Sequence, residues 1–167
     1  MWTPPLWSPP VALSPAEQKV VARAATRKKL FVFLREIRGE LFDEAFQGEL
    51  LEMYRQTGAG KPPVPPALLA MVTLLQACTG VGDQEAVELT VDSKRWQLVL
   101  GCLGAEEPAF SQGALFDFRM RLLGTGLDQR LLERTVELAR RRGGSTPKPC
   151  GWPWTPAPYG GAAGWKT

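Results

Sequence analysis

The chain has 167 residues, of which 44% are hydrophobic and 22% are charged, so it can build one globular domain with a hydrophobic core. It contains no histidine, which excludes Ser-His-Asp triads, imidazole bases and histidine metal ligands. The formal net charge of +3 is too small to indicate a nucleic-acid partner, so positive charge is informative only where it clusters.

The cysteines and the apolar runs indicate the cellular compartment. The chain has three cysteines, Cys78, Cys102 and Cys150. Their odd number and wide spacing argue against a disulfide framework and a zinc site. The N-terminus lacks the basic segment of a secretion signal, and the longest apolar run, residues 67–78, is too short to cross a bilayer. We therefore expect a cytoplasmic protein with no membrane partner.

The first 40 residues divide into a leader and a helix. Residues 1–13 contain four prolines and two tryptophans without periodicity, which predicts an unstructured leader. Ser14, Pro15 and Glu17 then form the pattern of a capping box with proline at the first helical position. Apolar residues at spacings of three, four and seven predict one amphipathic, locally basic helix from there to about Arg38.

Two further helices are expected in the next 40 residues. One begins near Asp43, runs through Tyr54 and ends before residues 57–60. After a proline-rich loop, residues 67–79 are apolar nearly all round, which predicts a buried helix that stops at Gly80.

The rest of the chain predicts four helices and a tail. The first covers residues 84–91 and is capped by Asp83, and the second covers residues 95–101. The third is capped by Ser111 and ends near residue 123, and the fourth covers residues 127–142. The very short linker between the first two predicts a helix-turn-helix-like array. No strand pattern occurs, so we expect an all-α domain over residues 14–142, followed by a Pro/Gly/Trp-rich, disordered tail over residues 143–167.

Clustered cations are candidate phosphate contacts. Arg27, Lys28 and Lys29 are consecutive, and clustered cations bind DNA by displacing its counterions. A run of three is equally typical of an ordinary solvated helix face, so both interpretations stay open.

The helix after Ser111 carries candidate base contacts. Such a capped helix can enter the major groove, where arginine commonly reads guanine. Arg119 and Arg121 border opposite sides of the apolar stripe and cannot both face one groove, and Arg119 shares its side with Gln112. The alternative is that these arginines are plain surface residues. Trp96 lies among aliphatic residues and is predicted to be a core anchor.

Four segments in order resemble the N-terminal domain of InsH-type insertion-sequence transposases. They are LFDEAF at 41–46, YRQTGAGKPPVPPALLAMVTLL at 54–75, WQLVL at 96–100 and FSQGALFDFRMRL at 110–122, and the resemblance covers about residues 14–142. It implies a helical region that binds the terminal inverted repeats of the element. It also implies a following ribonuclease-H-like domain, in which an Asp-Asp-Glu triad holds two magnesium ions for strand transfer.

The tail does not continue the resemblance in its own reading frame. Similar transposases have a stretch close to FDPKALRVALDSSPLWGAGRVED, whereas residues 145–167 read STPKPCGWPWTPAPYGGAAGWKT. If each codon is rebuilt from the last base of the preceding codon and its own first two bases, Pro153 becomes alanine, Thr155 aspartate and Lys166 glutamate, since tryptophan codons end in G. We therefore expect a frameshift near residues 142–144, by mutation or by programmed recoding.

These observations give one main functional hypothesis and one alternative. The first is a truncated transposase that binds terminal inverted-repeat DNA without catalysis. Catalysis is not expected because the first catalytic carboxylate is replaced and the others would follow residue 167. No cofactor is expected either, since magnesium belongs to the catalytic domain. The alternative is a helical interaction module that pairs with intact transposase subunits as a dominant-negative partner, or an inactive remnant.

Overall fold

Eight helices make up the regular structure of residues 5–54 and 64–142, the part of the chain that a computed structural model describes. No strand occurs in these ranges, so the all-α prediction is confirmed. The predicted tail over residues 143–167 lies outside the described residues. The helices are α1 Pro15–Arg27, α2 Lys29–Leu41, α3 Glu44–Glu52, α4 Pro66–Thr79, α5 Asp83–Asp92, α6 Lys94–Leu100, α7 Gln112–Thr125 and α8 Leu127–Arg141.

Helix α4 is the centre of the core. Every residue from Pro66 to Gln76 is buried, and α4 packs against α3, α5, α6 and α7. It ends at Gly80, whose φ of 75° is the left-handed conformation that glycine adopts without steric cost. The predicted buried helix is therefore confirmed. No single helix of the described ranges is long and apolar enough to span a bilayer.

The predicted first helix is two helices, and the single-helix prediction is wrong. Lys28, with φ −129° and ψ 46°, breaks the chain between α1 and α2. The break allows α1 to fold back against α2 and α6, where Glu17 and Ala24 become buried. A spacing of seven between Ala24 and Phe31 fits two helical turns, so the sequence pattern did not reveal the turn.

The predicted cap of α5 is also wrong, whereas the predicted cap of α7 is confirmed. Gly82 precedes α5 and Asp83 is its first residue, so the Asp83 carboxylate is available for other partners. Ser93 alone separates α5 from α6 and caps α6 by accepting a hydrogen bond from the Trp96 N–H. Ser111 caps α7 as predicted, and α7 continues to Thr125, two residues beyond the expected end.

The leader has no helix or strand in residues 5–13, as predicted, but it is attached to the helices. The Trp7 N–H donates to Gln47 Oε1 at 2.8 Å, and Gln47 Nε2 donates back to the Trp7 carbonyl at 3.0 Å. The Trp7 ring lies edge-on to Phe42, with 5.6 Å between the ring centroids. Arg38 Nη2 donates to the Pro10 carbonyl at 2.7 Å. This part of the leader is therefore a component of the folded domain.

Candidate nucleic-acid interface

The six residues predicted to contact nucleic acid lie in three separate places. Arg27, Lys28 and Lys29 line a hollow where α1 meets α2. Gln112 and Arg121 line a cleft beside α7. Arg119 lies at the contact of α7 with α5, where it binds Asp83.

The first place is part of a continuous basic surface. Lys19, Arg23 and Arg27 follow one another at intervals of four residues, so they lie along one side of α1, and all three are exposed. Lys28 and Lys29 extend this surface around the break before α2. Residues 18–35 contain no aspartate or glutamate that could neutralise it.

Arg95 completes this surface from a distant part of the chain. It lies on α6 and lines the same hollow, of about 440 Å³, as Arg27, Lys28 and Lys29. The Arg95 guanidinium carbon is 5.6 Å from the centroid of the Phe31 ring. Arg95 precedes Trp96, which is 2% exposed and is confirmed as a core anchor. In the sequence, the only feature that distinguished Arg95 was its position next to a predicted core tryptophan, which does not indicate that it joins the α1–α2 surface.

We call Lys19, Arg23, Arg27, Lys28, Lys29 and Arg95 the basic face. All six residues are exposed, and no carboxylate lines the hollow. Ion pairs between residues of the described ranges involve other arginines: Arg35, Arg119, Arg130, Arg134, Arg141 and Arg142. The basic face therefore presents uncompensated positive charge, which favours a polyanionic ligand.

The second place combines Arg121 with an aromatic ring. The Arg121 guanidinium carbon is 4.4 Å from the centroid of the Tyr54 ring, within the range of a cation–π contact. Burial raises the pKa of Tyr54 to about 12, so its hydroxyl stays neutral at physiological pH. Asp117 lines the same cleft, of about 870 Å³, one helical turn before Arg121. Gln112 is exposed at the start of α7.

The third place is a polar contact between three helices. Arg119 Nη1 and Nη2 both donate to the Asp83 carboxylate, the second bond at 2.8 Å, and Gln76 Nε2 donates to Asp83 Oδ1 at 2.9 Å. The two charged side chains are only 11% and 16% exposed. The hydrogen bond from Arg119 lowers the pKa of Asp83 below its usual range, against the opposing effect of burial. Base reading by Arg119 would require this pair to open.

The outer side of α7 carries two exposed apolar side chains. Phe116 is 50% exposed and Met120 is 53% exposed, one helical turn apart. The Arg119 guanidinium carbon is 5.7 Å from the centroid of the Phe116 ring. Both residues lie outside the apolar stripe of Leu115, Phe118 and Leu122, and neither was predicted to be a site residue.

Metal-ligating side chains do not converge in the described ranges: no group of three or more His, Cys, Asp or Glu residues is placed to hold an ion there. The acidic residues Glu49 and Glu137 instead pair with Arg130 and Arg141.

Comparison with known proteins gives one family. A family model described as Transposase domain (DUF772) matches residues 21–121, which is more than half of the chain. The match begins inside α1 and ends inside α7, so it contains most of the basic face and the Arg119–Asp83 contact. Curated proteins and solved structures gave no match.

Proposed function

This chain belongs to the Transposase domain (DUF772) family, and on that premise we propose that it binds DNA, with the terminal inverted repeats of an InsH-type insertion sequence as its specific target. The observation that carries the proposal is the basic face, whose six cations are exposed and have no ion-pair partner among the described residues.

The dimensions of the basic face suit a DNA backbone. Lys19 and Arg27 are eight residues apart on α1, which corresponds to about 12 Å along the helix axis. One strand of duplex DNA carries a phosphate every 3.4 Å or so of axis, so this row spans about three phosphates. The hollow at Arg27, Lys28 and Lys29 adds converging cations at one end of the row. Backbone contacts of this kind fix the orientation of a protein on DNA without reading its sequence.

Sequence preference requires a second element, and α7 supplies it in this proposal. Gln112 lies exposed at the start of α7, and a glutamine can pair with adenine through its N6 and N7 atoms. The exposed side chains of Phe116 and Met120 can contact thymine methyl groups. Arg119 and Arg121 stay predictions as base contacts, since each would have to leave its partner, Asp83 or Tyr54.

We further infer that this chain lacks strand-transfer activity, because a change of reading frame after about residue 144 removes its first catalytic aspartate. The support is the sequence of residues 145–167, in which Thr155 stands where the shifted frame gives the first catalytic aspartate. Magnesium would serve the catalytic domain of an intact transposase, and DNA binding by the helices needs no cofactor. Cytoplasmic localisation is part of the same proposal.

A salt titration of DNA binding tests the main proposal. Fluorescence anisotropy of the full chain would be measured with duplexes taken from the two ends of the element and with shuffled duplexes. The observed association constant should fall with salt with a log–log slope of about −0.9 per phosphate contacted. The variant R27Q/K28Q/K29Q should reduce the magnitude of this slope by about 2.7, since three contacts are lost.

A matched control separates position from net charge. The variant R130Q/R141Q/R142Q also removes three positive charges, but these arginines are paired with Glu49, Glu137, Glu36 and Glu40. It should keep the slope of the unmodified protein. Equal slopes in both variants would show that net charge alone governs binding, and absence of any preference for the terminal duplex would refute the specific target.

Pairing with intact transposase subunits is the second candidate function. The exposed Phe116 and Met120 favour it, because apolar side chains on a helix surface are often covered by a partner. A stable complex between this chain and the intact transposase in size-exclusion chromatography, abolished by F116S/M120S, would support it. Separate elution of the two proteins would refute it.

A further inference from the structure

We propose that Arg119 is a positioning residue, whose bidentate pair with Asp83 holds α7 in the orientation in which Gln112 reads the DNA. This inference rests on the proposed DNA-binding function and assigns the roles of two residues within it. We call the pair the Arg119–Asp83 clamp.

The clamp joins three helices that are distant in sequence. Gln76 lies near the end of α4, Asp83 opens α5, and Arg119 lies in the middle of α7. The Asp83 carboxylate accepts hydrogen bonds from both other side chains, and Gln76 is fully buried. Thus a single carboxylate ties α7 to the central helix α4 as well as to α5.

Apolar packing alone leaves the orientation of α7 less defined. Leu115, Phe118 and Leu122 bury one side of α7 in the core. Hydrophobic burial is proportional to area and is not directional. It therefore fixes roughly which side of α7 faces inward, but it defines less firmly the exact rotation of the helix about its axis and its shift along that axis. A two-pronged guanidinium–carboxylate contact is directional, and it sets both.

The same contact argues against Arg119 as a base reader. Reading guanine requires both prongs of the guanidinium, and Asp83 occupies both. Opening the clamp would leave the largely buried Asp83 carboxylate without its charged partner, which is costly. Gln112 has no such constraint. It lies seven residues before Arg119, close to two full turns, so both residues fall on the same side of α7. Gln112 is exposed in the first turn, where it also borders the cleft that Arg121 lines further along the helix.

Variants of both clamp partners distinguish positioning from base reading. The preference ratio, defined as affinity for the terminal duplex over a shuffled duplex, would be measured for D83N, R119Q and D83N/R119Q. Positioning predicts that the two single variants lower the ratio by the same factor and that the double variant lowers it no further. Q112A should lower the ratio by about 5-fold to 150-fold, the contribution of a good bidentate base contact, with an unchanged unfolding midpoint.

Base reading by Arg119 predicts a different pattern. D83N would free the arginine and leave the ratio unchanged or higher, whereas R119Q would lower it; this result would overturn the inference. If Arg119 is a positioning residue, R119K should lower the preference ratio as R119Q does, because lysine cannot form two parallel hydrogen bonds with Asp83.

A second ion pair provides the control for simple loss of stability. Arg134 on α8 donates to Asp43 at 2.9 Å, away from α7. The variant D43N should lower the unfolding midpoint without changing the preference ratio. If D43N lowers the ratio as much as D83N does, general destabilisation explains the effect and the clamp has no special role.

Hydrogen exchange tests the clamp separately from DNA binding. In the free protein, D83N and R119Q should each speed amide exchange in the first half of α7 by tenfold or more, whereas D43N should leave it unchanged. Unchanged exchange in D83N and R119Q would overturn the clamp even if the chain binds the terminal duplex. Faster exchange together with no DNA preference in the unmodified protein would instead refute the proposed function.

Discussion

Substitution of Gly101 by alanine tests the attachment of the leader to the helices. Gly101 ends α6 with φ +72°, and a Cβ atom there would lie 2.8 Å from the Cβ of Pro9, which is closer than two carbons can approach. The left-handed conformation costs an alanine about 1–2 kcal/mol. The clash adds to this, because Pro9 belongs to a ring and cannot rotate away, so the leader itself must move.

The extra cost follows from what the leader would lose. Arg38 Nη1 donates to the carbonyls of Leu98 and Val99, at the end of α6, while its Nη2 donates to the Pro10 carbonyl. A hydrogen bond from a charged donor contributes about 1.5–3 kcal/mol. If the leader moves far enough to break the bond at Pro10, Gly101→Ala should lower the free energy of unfolding by about 2.5–5 kcal/mol in total.

Gly104 provides the matched control for this prediction. It has φ +87°, but nothing lies within 4 Å of a Cβ atom built on it. Gly104→Ala should therefore cost only the conformational term of about 1–2 kcal/mol. Both variants would be compared by urea denaturation, with hydrogen exchange reporting on residues 5–13. Equal losses of stability, with unchanged exchange in the leader, would refute the idea that the leader presses against α6.

Two further predictions concern acid stability and the tail. The lowered pKa of Asp83 means that the folded state favours the charged carboxylate, so its stabilisation is present above the ordinary aspartate pKa and is lost as the pH falls through the lowered value. The difference in unfolding free energy between the unmodified protein and D83N should therefore shrink below about pH 4; a constant difference from pH 7 to pH 3 would contradict this. For the tail, the encoding DNA read one base back from about codon 145 should give ALDSSP, and a stop codon or an unrelated peptide there would disprove the frameshift.

Local features of the fold were predictable because their causes are local. The caps at Ser14 and Ser111 each depend on a side chain that reaches a backbone N–H three residues later, and both form. The stop of α4 at Gly80 depends on one backbone conformation. Such interactions are specified within a few residues, so the printed sequence contains them.

Polar contacts between distant segments were not predictable in the same way. Hydrophobic periodicity reports which side of a helix faces inward, but it does not report which polar group lies opposite. Arg35 and Arg38 fall on the buried side of α2 and bind carbonyls 23 to 61 residues away. Burial and the neighbouring Arg35 charge lower the pKa of Arg38 to about 10, and the Arg38 guanidinium remains charged at physiological pH. The docked leader and the Arg119–Asp83 contact escaped prediction for the same reason.

The distribution of the arginines explains why the net charge of +3 was uninformative about DNA. Arg130, Arg141 and Arg142 each lie against a carboxylate and contribute little field at a distance. The basic face has no such compensation, and salt screens charges only beyond about 8 Å at physiological ionic strength. A duplex that approaches the junction of α1 and α2 to within that distance meets several positive charges together. In the proposed function, DNA would therefore be attracted by this one surface and not by the total charge of +3.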